Sequence, residues 1–248
     1  MADWMIMIVA PIAGSWLGVL IRRWPQNRPV ALARSCCDHC GHKLGPLELV
    51  PLMSFVLQRG RCRYCGGAIS LFHPAIELAA MMVALAALLA DTPGVAAWID
   101  ACLGWTLLCA AWIDAETFRL PDVITLPLLL AGLVVTWDFQ PGALYNHAAA
   151  AALGYLAFRL LGQAYLALRR RHGLGEGDAK LLAASGAWLG LAALPYVVLM
   201  AGLIGIFMAI LSRRSRDLHG GQVVAFGPAL ALAFFMWRLF AGCFVSPR

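Results

Sequence analysis

Runs of apolar residues of nearly constant length, separated by short polar stretches, dominate the chain. Eight such runs stand out, at about residues 4–21, 74–90, 96–113, 122–137, 143–168, 179–194, 196–211 and 223–241. A bilayer core of roughly 30 Å is crossed by a helix of about 20 apolar residues. Because lipid satisfies no backbone polar group, each such run must bond within itself as a helix. The pattern therefore predicts an all-α polytopic membrane protein with about eight transmembrane helices. Gly186, Gly190 and Pro195 blur the boundary between the sixth and seventh runs. The longest polar interruption, Arg22 to His73, follows the first run and is too long for a turn. Three segments result: a first transmembrane helix (1–21), a polar insert (22–73) and a membrane-embedded remainder (74–248) with about seven more helices.

Composition sharpens this picture. Of 248 residues, 62% are hydrophobic and 13% charged, against about 45–50% and 25% in soluble domains. The net charge of +6 does not point to nucleic acid, because the basic residues lie in loops between runs. With the N-terminus outside, 16 of the 19 Lys and Arg fall on one side, including Arg22, Arg23, Arg59, Arg61, Arg63, the run Arg169 to Arg171, Lys180, and Arg213, Arg214 and Arg216. That asymmetry is the positive-inside signature; it supports an even span count and puts the insert in the cytoplasm. Arg22 and Arg23 after the first run mark a retained span rather than a cleaved signal.

Five of the eight cysteines lie in the insert. Cys37, Cys40, Cys62 and Cys65 form two C-x2-C pairs separated by 21 residues, each followed by a glycine, Gly41 or Gly66. Four thiolates in two knuckles are the donor set of a closed, structural Zn2+ site. The reducing cytosol disfavours two disulfides instead. Cys36 is a spare thiol that could exchange with Cys37, and His39 and His42 read as surface residues. Cys102 and Cys109 fall seven apart on one helix face, where packing is the expected role.

Two acidic residues invite a catalytic reading. Asp114 ends the third run, Asp178 opens the sixth within Gly175-Glu-Gly-Asp178, and the topology derived from Lys and Arg places both at one depth on one side. Two carboxylates within hydrogen-bond reach share a proton and titrate as a pair. One then serves as base towards water while its protonated partner polarises a scissile carbonyl. Gly175 and Gly177 leave Asp178 open to close approach, and its place near a helix N-terminus predicts it to be the more acidic partner. Asp122 reads as a first-turn residue, while Glu116, Glu176, Arg119 and Lys180 read as interfacial charge balance. Asp100 lies within the third span.

These pieces together resemble the type IV prepilin peptidase family, the prepilin leader peptidases and N-methyltransferases. The matching residues are Gly14-Ser15, the two knuckles with Arg61 to Gly66 and Ile69-Ser70, Pro74-x-x-Glu77-Leu78, Asp114 with Pro121-Asp122, Gly175-x-Gly-Asp178 with Lys180 to Leu182, and Phe226-Gly-Pro228. The chain departs from the family in having Gly18 and Arg22 where Asn and Tyr are usual, and Asp38 where the first knuckle commonly has Pro. It also adds Cys36 and lacks the usual Trp and Asn in 45–51. The resemblance implies a multi-pass enzyme of the bacterial inner membrane with Asp114 and Asp178 as its catalytic pair. It would cut precursors of pilins or type II secretion pseudopilins after a glycine on the cytoplasmic side. Bifunctional members then methylate the new N-terminus with S-adenosylmethionine. The alternatives are a peptidase without methylation, or a non-enzymatic transporter or assembly factor with a zinc-stabilised loop.

Overall fold

The computed structural model describes residues 3–26, 28–30, 34–90, 94–170, 175–215 and 225–245. Arg171, Arg216 and Arg248, and the side chains of Arg213, Arg214 and Cys243, lie outside what it describes. The described residues form helices and no β-strand: α1 (Asp3–Arg23), α2 (Met53–Leu57), α3 (Phe72–Leu89), α4 (Val95–Thr117), α5 (Asp122–Phe139), α6 (Leu144–Arg169), α7 (Glu176–Leu189), α8 (Leu194–Ser215) and α9 (Gly227–Val245). The eight apolar runs correspond to α1 and α3 to α9. Six of these helices are long and apolar enough to cross a membrane. The protein is an all-helical, multi-pass membrane protein.

Of the remaining two, α7 is the short one. Helix α7 has 14 residues, about 21 Å at 1.5 Å per residue, so it falls short of a full hydrocarbon core. Gly190, with φ +77, closes it, and one 3-10 turn (Leu191–Ala193) leads into α8. Helix α9 runs for 19 residues, Gly227–Val245, and its described side chains, Gly227–Phe240, form an apolar stretch. Helix α3 starts at Phe72, so the insert ends two residues earlier than its polar composition suggests.

The chain divides into two compact units, Met1–Trp105 and Thr106–Arg248. In the first, α1 packs along α3. Buried Ile6, Ala10, Leu17 and Ile21 line one side of α1, facing a stripe of Ile76, Ala80, Ala84 and Ala87 on α3. Small residues let helix backbones approach closely in lipid, where no hydrophobic drive brings them together. Trp105 donates its indole N–H to the Ala80 carbonyl at 2.9 Å. In the second unit α7 is the central helix, packed mainly on α6 and α5. Ten of its 14 residues, Asp178, Ala179 and Leu181 to Trp188, are buried. Its far end is tied by Trp188, which donates to the Leu128 carbonyl at 2.8 Å, and by Thr136, which donates to that of Ala187 at 3.3 Å. A short helix enclosed on most sides is a rigid support for whatever its first turn carries.

Candidate active site and metal cluster

The two knuckles of the insert are built alike. In the first, Cys37 N–H donates to the His42 carbonyl at 2.9 Å and Gly41 N–H returns to the Cys37 carbonyl at 2.9 Å; in the second, Cys62 donates to Gly67 at 2.8 Å and Gly66 returns to Cys62 at 2.9 Å. Gly41 and Gly66 take φ +70 and +69, a left-handed turn that only a residue without Cβ enters freely. Isolated bridges Cys36 to Lys43 and Arg61 to Ala68 clamp the two bases.

The Sγ atoms of Cys37, Cys40, Cys62 and Cys65 all lie within 4.8 Å of one another, and those of Cys37 and Cys65 are 3.9 Å apart. Tetrahedral zinc with Zn–S near 2.3 Å would separate its sulfurs by about 3.8 Å. The cluster therefore gathers the four sulfurs close to the spacing that ion needs. Backbone N–H groups of Cys40 and His39 pull the Cys37 thiol down to about 7. The Gly67 amide also pulls at Cys65, but burial and the other three thiols outweigh it and hold it up at about 11. Four thiolates crowded together repel, and a divalent cation at their centre removes the conflict.

Cys36 is exposed and stands outside the cluster. The two histidines near the knuckles are joints between them rather than ligands. His42 stacks on Tyr64 with ring centroids 3.5 Å apart, and His39 lies over Gly67, where a Cβ would come within 2.7 Å of its ring.

In the second unit Asp114 and Asp178 are both buried, at 6% and 8% exposure. Asp114, in the last turn of α4, accepts the N–H of Gly227, the first residue of α9, at 3.0 Å. A Cβ on Gly227 would stand 2.4 Å from Asp114 Oδ2, so the Phe226-Gly-Pro228 stretch needs its glycine to let the carboxylate reach the helix end. Asp178 sits in the first turn of α7 and accepts the N–H of Gly175 at 3.3 Å. Gly177 faces Leu120, whose Cβ a side chain there would meet at 2.6 Å. That contact brings the start of α7 against the segment following α4. Each aspartate thus terminates at a helix N-terminus, where orphan amides and the helix dipole favour negative charge.

The carboxylates are close enough to act on each other. Burial, reinforced by the charge of Asp114 and opposed by the Gly175 amide, pushes Asp178 up to about 6. Loss of water and a neighbouring carboxylate thus oppose, at Asp178, the helix end that favours its ionised form.

The other acidic groups fall into place around the pair. Asp122 opens α5 after Pro121 and pairs with Lys180, while Glu176 pairs with Arg159. Glu116 accepts from the Trp112 indole at 3.0 Å. Asp100 is buried in α4. One carboxylate was not singled out from the residues: Glu77, buried within α3, accepts the N–H of Leu52 at 2.8 Å and also bonds the Ser15 hydroxyl. A carboxylate inside an apolar run is costly enough in lipid to have flagged it.

Comparison with known proteins agrees with this architecture. The profile of the bacterial peptidase A24 N-terminal domain matches residues 8–90, and that of the type IV leader peptidase family matches 101–210. A prepilin leader peptidase/N-methyltransferase of Aeromonas hydrophila is 40% identical over 209 residues, covering 84% of this chain and 71% of the relative. Those of Aeromonas salmonicida (strain A449) and Dickeya chrysanthemi are each 39% identical, over 92% of this chain and 87% and 89% of their own lengths. No solved structure matches the chain. Such identity across both units, spanning the cysteine cluster and both buried aspartates, means that the chain belongs to the type IV leader peptidase family of aspartic peptidases.

Proposed function

We propose that this protein is a bacterial inner-membrane endopeptidase. It cleaves the basic leader from prepilins or pseudopilins after a glycine at the cytoplasmic face, and methylates the N-terminus it creates. The observation that carries the reading is the pair of buried carboxylates, Asp114 and Asp178, each set at a helix N-terminus, with the charge of Asp114 felt at Asp178. The placement of basic residues on the insert's side of the spans supports a cytoplasmic site.

The chemistry follows from the asymmetry of the pair. Asp178, with its raised proton affinity, enters protonated and donates a hydrogen bond to the scissile carbonyl oxygen. Asp114, oriented by the Gly227 amide, stays ionised and takes a proton from water as its oxygen attacks the carbonyl carbon. The tetrahedral intermediate then breaks its C–N bond as the amine leaves with a proton returned from the dyad. One water is consumed, and the dyad regains a single proton.

The four cysteines of the insert would hold Zn2+ as a structural ion, since all four positions are thiolates and none is left for substrate. For the methyl step, S-adenosylmethionine would supply the methyl group to the freed amine. The described residues contain no strand leading into a glycine loop and helix, so a dinucleotide-type cradle for the donor does not fit them.

The test is to make Asp114→Ala and Asp178→Ala separately and assay cleavage of a model prepilin in membranes. Each should lose about a thousandfold or more in rate, the scale on which removing one member of a concerted catalytic group acts. Full activity in either variant would sink the dyad.

A further inference from the structure

Between the knuckles the insert runs through one 3-10 turn, Pro46–Leu49, and the short helix α2. Along α2, Met53, Val56 and Leu57 fall at i, i+3 and i+4 and share a face. That face is bare: the three are 62%, 71% and 72% exposed, and Leu47 is 82% exposed. The other side of the segment is held. Phe55 lies against Gly60, and Leu52, in a left-handed conformation at φ +57, donates its N–H to Glu77 at 2.8 Å. Glu77 lies five residues into α3, about 7.5 Å along the helix. The apolar segment is therefore pinned beside the first turns of a membrane span rather than displayed away from it.

Charge completes the pattern. Arg59, Arg61 and Arg63 follow α2 and are exposed, and no acidic residue occurs between Glu48 and Glu77. An apolar face flanked by basic residues and held at the level of a span's end has the makeup of an element lying in the bilayer interface. Anionic headgroups are the complementary surface for the arginines.

We propose that residues 46–57 form an interfacial membrane anchor. Leu47, Met53, Val56 and Leu57 enter the boundary between headgroups and acyl chains of an anionic bilayer, and Arg59, Arg61 and Arg63 face its phosphates. The cysteine cluster is thereby held down against the membrane surface instead of moving freely above it.

The test uses the full-length, zinc-loaded protein in nanodiscs of phosphatidylglycerol and phosphatidylcholine with brominated acyl chains. A fluorescent amino acid replaces Leu57, Leu47 or, as a control, exposed Lys43 on the first knuckle. Zinc content checks that each variant keeps its fold. Bromine should quench the probe at 57 and at 47 about twofold or more beyond the probe at 43, as for a side chain seated in the interface. That excess should shrink when phosphatidylglycerol is omitted. Equal quenching at all three positions would overturn the proposal. So would a probe at 57 that bromine leaves untouched but a photo-crosslinker there that captures added prepilin, since the face would then be a protein-docking surface.

Discussion

The cysteine cluster and the aspartate pair are two solutions to the placing of charged ligands in one chain. The cluster is assembled almost entirely from local structure: two five-residue knuckles, each closed by its own backbone hydrogen bonds and a left-handed glycine. It sits in an insert with little buried apolar surface, where Cys62 is the one buried cysteine of the four. The aspartates belong to helices separated by 64 positions in sequence, and packing alone brings them together. Their site depends on the enclosed α7 and on helix ends delivered from α4 and α9. The insert would draw its stability from a metal held by the four thiolates, while the aspartate site draws it from the core. The two should therefore fail under different insults.

Metal removal should separate them most sharply. Structural zinc in small cysteine sites contributes roughly 10–16 kcal/mol of apparent binding energy that is also folding energy, more than so small an insert can replace. A strong chelator, or Cys62→Ser, should release the metal and raise amide hydrogen exchange throughout 34–70. The amides of α7, buried in the second unit, should keep their protection. Loss of protection in both regions together would show that the insert and the aspartate-bearing helices fold as one.

The contrast also explains what could be read in advance. The cysteine spacing names its own chemistry, since a C-x2-C pair with a trailing glycine already specifies a knuckle. The helices were legible because lipid enforces length and apolarity, yet α7 was not legible as a short helix. Its 14 residues run on in composition through Ala192 and Ala193, and only the backbone turn at Gly190 ends it. Asp114 and Asp178 stood out as acidic residues at span ends. The burial of both and the charge of Asp114 felt at Asp178 were not legible, because they are tertiary quantities. The role of Gly227 was likewise hidden: its significance is a carboxylate 113 residues away.

That carboxylate supplies the next test. Gly227→Ala would place a methyl 2.4 Å from Asp114 Oδ2, forcing the carboxylate off the helix end. A displacement of about 1 Å can cost on the order of a hundredfold in rate, and cleavage should fall on that scale. Zinc content should be unchanged, which would keep the defect in the second unit. Wild-type cleavage by this variant would mean that Asp114 acts without the Gly227 amide.

A pH series probes the same pair more gently. Asp178 has a proton affinity raised to about 6, so it keeps its proton below that pH and loses it as pH rises. If the singly protonated pair is the active form, cleavage should decline above about pH 6, by roughly tenfold per unit once the proton is gone. Zinc retention should move in the opposite sense, failing only as acid protonates the thiolates. A cleavage rate flat from pH 6 to pH 8 would exclude Asp178 as the proton donor.

The smallest expected effect guards the identity of the pair. Asp122 is acidic, lies beside the Pro121 that opens α5, and pairs with Lys180, two residues beyond Asp178. On sequence position alone it competes for a catalytic role. Its environment argues against one. Its side chain is 58% exposed and that of Lys180 23% exposed, so water solvates the carboxylate and a cation neutralises it, while Asp114 and Asp178 are buried together. Exposed ion pairs contribute about 0–1 kcal/mol. Asp122→Asn should therefore change thermal stability by no more than that, and cleavage by about twofold at most, the residual effect of an unneutralised Lys180 near Asp178. Should Asp122→Asn instead abolish cleavage as Asp178→Ala is expected to, the proton-sharing pair would have to be redrawn around the α5 carboxylate. The burial of Asp178 would then reflect packing of α7 and not catalysis.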